Sequence, residues 1–168
     1  MNAVGDMFTL AFFKENSSSI PIDDKPFWTL LGDENDLEKI PTHHREQLLF
    51  LSQKAKEFIY QYVDDLNILD SKLWRAFKNH NFKNEENYSL DSDFQVYRKC
   101  LCQCGIVFSN WVLVLPNYNS HPMLMTWKML LKYTSDIFAT SDDILVFDFS
   151  QSWYLFHHHD GETQFIKK

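Results

Sequence analysis

The sequence predicts an α+β fold: a small antiparallel sheet with a C-terminal meander, packed against several helices. Three observations carry this expectation. Helix-type patterns dominate the first two thirds of the chain, and three short β-type runs separated by tight turns close it. Only one helix-type stretch falls between strand-type stretches, so the elements segregate by type rather than alternate as they do in a parallel α/β fold.

The elements follow in order. "MFTLAFFKENSSSIPI" reads as a strand and a polar turn, although a run so short also fits a buried helical turn. Ser17 to Asp24 reads as a loop, and Phe27, Trp28, Leu30 and Leu31 as packing anchors before Gly32. "THHREQLLFLSQKAKEFIYQYVDDLN" predicts one long helix from about His43 to Leu66. Thr42 can cap it, and Leu48, Leu51, Ala55, Phe58, Tyr62 and Leu66 recur every three or four residues. "KLWRAFKNH" predicts a second helix and "NHNFKNEENYS" a loop. A third helix runs from Asp91 or Ser92 to Gly105, a good residue to end it.

Beyond Gly105 the composition turns β-branched and aromatic, and Ile106 to Leu115 reads as one long strand or two short ones around Ser109-Asn110. Ser120 can then cap a helix carrying Met123, Leu124, Trp127, Leu130 and Leu131. "DILVFDF", "WYLFHHH" and "TQFI" form the meander, with turns at Ser150 to Ser152 and Asp160 to Glu162. At 168 residues and 45% hydrophobic composition the chain fits a single domain, residues 1–168, that can bury a core unaided.

Composition also excludes some functions. Sixteen Lys and Arg against 23 Asp and Glu give a net charge of −7, with no basic tail or stripe, so unassisted binding of nucleic acid is not expected. Nothing reaches the roughly 20 apolar residues of a membrane helix. Cys100, Cys102 and Cys104 are odd in number, crowded and not at C-x-x-C spacing. They read as reduced thiols in a cytoplasmic protein rather than disulfides or zinc ligands. G-x-S-x-G, Walker and G-x-G-x-x-G motifs are absent, as is H-E-x-x-H.

The histidine run at 157–159 is the sharpest local feature. On a strand, Trp153, Leu155, His157 and His159 share one face and Tyr154, Phe156 and His158 the other. The bland reading is a strand tip emerging at the Asp-Gly turn. The chemical reading is a metal site, since His157 and His159 with Glu162 give H-x-H-x-x-E, which resembles the metal motif of cupin barrels over those six residues. The interval to Glu162 is shorter than in that motif, and neither the following glycine nor a second motif is present. His121 or Asp148 is then the available third ligand of a metal-dependent enzyme.

In size, acidity, α+β build and lack of catalytic motifs the chain resembles the immunity proteins of bacterial toxin systems. The resemblance implies a small cytoplasmic protein without cofactors that neutralises a basic protein partner, such as a toxin nuclease domain, by occupying its phosphate-binding surface. Asp142, Asp143, Asp160 and Glu162 flank the turns of the meander, and Trp153, His157 and His159 can present an exposed edge between them. These seven residues are the expected partner-binding surface. A metal-dependent enzyme and a structural subunit without catalysis remain the alternatives.

Overall fold

The computed structural model describes residues 8–19, 40–69, 84–89, 94–117, 121–138, 143–158 and 161–168. The expected helix at "KLWRAFKNH" and the anchors around Trp28 lie outside them. The described elements are α1 (Leu10–Glu15), β1 (Ser17–Ser18), α2 (Thr42–Arg45), β2 (Leu48–Leu51), α3 (Gln53–Leu66), β3 (Asn84–Ser89), α4 (Phe94–Gln103), β4 (Trp111–Pro116), β5 (Met123–Thr126), α5 (Trp127–Lys132), α6 (Thr134–Phe138), β6 (Ile144–Asp148), β7 (Trp153–His157) and β8 (Glu162–Lys167). The fold is α+β, and the sheet is larger than expected: eight strands in the order β1-β2-β5-β4-β6-β7-β8-β3, with every pairing antiparallel.

Alternation along the central strands splits the core into two layers. Val112, Val114, Val146, Trp153, Leu155 and Phe165 face α4, α5 and α6. Leu113, Leu115, Leu145, Phe147, Tyr154 and Phe156 face α1 and α3. Strands β6 and β7 are buried along their whole length, as the continuous apolar runs of a doubly covered sheet require.

Several local expectations give way to the structure. The first apolar run is helix rather than strand, because the Thr9 hydroxyl accepts from the Phe12 amide at 3.2 Å and caps it. Residues 42–66 do not form one helix. A single turn, α2, is followed by β2, which pairs with β5, and α3 starts afresh where Ser52 caps the Ala55 amide at 3.3 Å. The apolar spacing that suggested continuity is shared between a strand and a helix. Ala55, Ile59, Tyr60 and Val63 are the fully covered residues of α3, while Phe58 and Tyr62 are half-buried beside them.

The polar stretch Asn84–Ser89 is a strand, held by pairing with β8. Met123–Thr126 is a strand rather than a first helical turn, because it pairs with β2 on one side and β4 on the other. Tertiary pairing overrides local propensity in both cases. The helix ending at Gly105 and the C-terminal meander are found as expected.

Candidate functional site

Among the described residues, the meander places the expected partner-binding residues at two different ends of the sheet. Ile144, His157 and Thr163 are in register at one end. Trp153 lies at the far end of β7, paired with Lys167, about four residues and roughly 13 Å along the strand from His157. The exposed edge expected of Trp153 and His157 does not exist: both are buried, at 5% and 7% exposure. β7 is an interior strand of a sheet covered by helices, so its side chains meet the core up to its last residue.

His157 is engaged structurally. Its Nδ1 lies 2.9 Å from the Thr163 hydroxyl, and its ring packs 4.7 Å from that of Phe138 and 6.4 Å from Tyr97. Burial pushes the Tyr97 phenol far above its usual range. Asp143 is also largely buried and lies 3.8 Å from His158 Nε2. Asp142, His159, Asp160 and the side chain of Glu162 lie outside the described residues, and with them most of the expected metal set. Asp148 stands at the opposite end of β6 from His157, which removes it as a third ligand. Among the described residues no group of three His, Cys, Asp or Glu side chains gathers to hold a metal.

The opposite end of the sheet holds a cleft of ≈ 460 Å³, walled by Ile106, Val107 and Trp153 and edged by Asn110, Asp148 and Lys167. Two turns shape it. In the β6–β7 turn the Asp148 carboxylate accepts from the Ser150 amide at 3.0 Å, the Ser150 hydroxyl at 2.5 Å and the Trp153 indole at 3.0 Å. That buried triple acceptor fixes the indole as the floor of the cleft. Trp153 also meets Trp127 edge to face at 5.5 Å. On the other face of the sheet burial, helped by the Asp148 charge, pushes the Tyr154 phenol up to about 12 and keeps it neutral.

The second turn runs from Cys104 to Asn110. Gly105 adopts φ 76°, the left-handed conformation that releases the chain from α4. The Asn110 amide then donates to the Val107 carbonyl at 3.0 Å, and the amides of Trp127 and Lys128 donate to the carbonyls of Asn110 and Phe108 at 2.7 and 2.9 Å. This turn is therefore pinned to the start of α5. It presents Val107 at 61% and Phe108 at 56% exposure, the exposed large hydrophobic residues among those described.

Reading Ile106 to Leu115 as strand hid this turn. The turn-forming residues Gly105 and Ser109-Asn110 were the signal available in the sequence. Lys167 and Lys168 carried no signal, because only the β7–β8 pairing sets Lys167 opposite Trp153 and the Lys168 amide against the Ser152 carbonyl. Their ammonium groups lie over the rings of Phe165 and Tyr154, at 5.3 and 5.1 Å. Acidic and basic residues nearly balance across the described residues, so most of the net charge of −7 comes from residues outside them. No helix among the described residues is long and apolar enough to cross a membrane. No family model matches the chain, and no curated protein matches it.

Proposed function

We propose that the chain is a binding protein that works by covering a surface of a protein partner, in the manner of a cytoplasmic immunity protein, and that it docks through the 104–110 turn and the adjoining cleft. The observation that supports this reading is the exposure of Val107 and Phe108 on a turn locked by backbone hydrogen bonds. Burying an exposed Phe yields about 1.5–3 kcal/mol, and a preformed turn loses little entropy on docking. The cleft has room for one or two partner side chains, with Trp153 and Ile106 supplying apolar contact. Lys167 and Asn110 at its edge suit an acidic or carbonyl group of the partner.

This differs from the basic partner expected from sequence, which would use Asp142, Asp160 and Glu162. Two variants separate the two arrangements. A photo-crosslinking residue at position 108 is expected to capture one protein partner in cells, and the same residue at exposed position 57 to capture none. With that partner purified, Phe108→Asp is expected to weaken binding by about 2 kcal/mol, close to thirtyfold in Kd. Asp160→Lys with Glu162→Lys should leave it nearly unchanged. Binding that survives Phe108→Asp but is lost on charge reversal would move the interface to the β7–β8 turn and restore the basic partner.

A further inference from the structure

Away from the cleft, α4, α5 and α6 border a half-open cavity of ≈ 130 Å³ lined by Gln95, Arg98, Leu131, Lys132, Thr134 and Ser135. The Thr134 hydroxyl is turned inward, 2.8 Å from the Leu130 carbonyl and 3.0 Å from that of Leu131. The guanidinium of Arg98, the ammonium of Lys132 and the hydroxyl of Ser135 belong to exposed residues. Neither Arg98 nor Lys132 has a carboxylate within 4.0 Å among the described residues. In an acidic protein, two cations lining one small cavity with no carboxylate in ion-pair contact among the described residues stand out from the usual pairing of surface charges.

We propose that this cavity is a binding site for a single tetrahedral oxyanion of the phosphate type, held between Arg98 and Lys132 with the Ser135 hydroxyl as a further donor. Guanidinium supplies a planar pair of donors matched to two oxygens of such an anion, and ammonium a mobile point charge. The pocket admits a phosphate group, and its open mouth leaves outside whatever that phosphate is attached to. The ligand is thus free phosphate or the exposed phosphate end of a small monoester.

The site has a built-in reporter. His44 is buried, with Nδ1 2.7 Å from the Tyr133 hydroxyl and its ring 4.3 Å from that of His43. Burial first, then the charges of Lys132, His43 and Lys128, hold its pKa below the ordinary 6.5. Tyr133 in turn feels Asp136. Lys132 is common to both groups, so an anion neutralising it relieves His44 and raises its pKa. By reciprocity, protonating His44 tightens anion binding.

The linkage has a definite sign. With its pKa depressed in the folded state, His44 binds more protons in the unfolded chain between its folded pKa and 6.5. Stability is therefore full above pH 6.5 and falls as the pH drops through that window. A bound anion should narrow this loss.

The experiment follows the His44 ring by NMR during pH titration, in the full chain, with and without millimolar inorganic phosphate. O-phosphoserine serves as the monoester arm and sodium chloride at matched ionic strength as the control. A saturable, phosphate-dependent rise in the His44 pKa is expected, absent with chloride. Arg98→Gln should weaken phosphate binding at least tenfold while leaving the ligand-free His44 titration unchanged, because Arg98 is not among the groups that shift it. Equal response to O-phosphoserine identifies the terminal phosphate as sufficient; response to phosphate alone assigns the free ion. A shift that never saturates, that chloride reproduces, or that survives in Arg98→Gln overturns the proposal. Since Phe108→Asp leaves this cavity intact, its outcome is independent of the docking surface.

Discussion

Replacing Phe147 by Ala is expected to lower the unfolding free energy by about 3–5 kcal/mol, through lost transfer energy and the cavity left behind. Phe147 is wholly buried near the end of β6, in register with Leu113 on β4 and Tyr154 on β7. Its ring lies 5.5 Å from Tyr154 and 6.1 Å from Phe8, so it joins the sheet to the α1 side of the core. Against a total of roughly 5–15 kcal/mol for a domain, that loss is a large fraction. Urea denaturation checks it: the midpoint should fall with the slope unchanged. Phe58→Ala provides the comparison. Phe58 is half-buried on α3 among Phe12, Phe13 and Tyr62, so its removal should cost clearly less. Equal losses for the two variants would mean that the inner row of that layer is misassigned.

Asp148→Ala is expected to cost about 3 kcal/mol, the second largest effect. The carboxylate closes the β6–β7 turn with three hydrogen bonds, and removing it strands the Trp153 indole N–H in a buried setting. Hydrogen bonds to a charged acceptor contribute about 1.5–3 kcal/mol, and a buried donor left unpaired adds its own desolvation penalty. Asp148→Asn should lie between wild type and Ala, since the amide oxygen still accepts. Tryptophan emission in the folded variant should shift to the red as water reaches the floor of the cleft. If Asp148→Ala stays within about 0.5 kcal/mol of wild type, as neutral surface changes do, the turn is held by something other than this carboxylate.

The fold class was legible because it rests on patterns that survive any register: apolar runs with tight turns at the C-terminus, and a helix ended by Gly105. What was not legible depends on partners distant in sequence. "LLFL" satisfies helical spacing and strand composition equally, and pairing with β1 and β5 decides that it is β2. "NEENYS" has no strand-forming pattern, yet the open side of β8 recruits it. The histidine run misled in a physical way: a polar residue at the end of an apolar strand reads as exposed, but His157 finds Thr163 across the ladder and stays inside. The cationic cavity escaped notice because Arg98 and Lys132 sit on separate helices, and no stripe in the sequence joins them.

The strand order also sets the sequence of events by which the chain acquires its structure. Strands β4 to β8 are contiguous both in the sheet and along the chain, so Trp111–Lys167 can assemble from neighbouring hairpins and a single crossover. β2 and β3 come earlier in the chain, yet each must wait for a partner made much later: Phe50 for Met123, and Ser89 for Glu162. Such long loop closures slow folding. On a ribosome the apolar β2 segment therefore emerges with only the two-residue β1 to pair with. Between its synthesis and that of β5 it is the stretch a chaperone is most apt to hold.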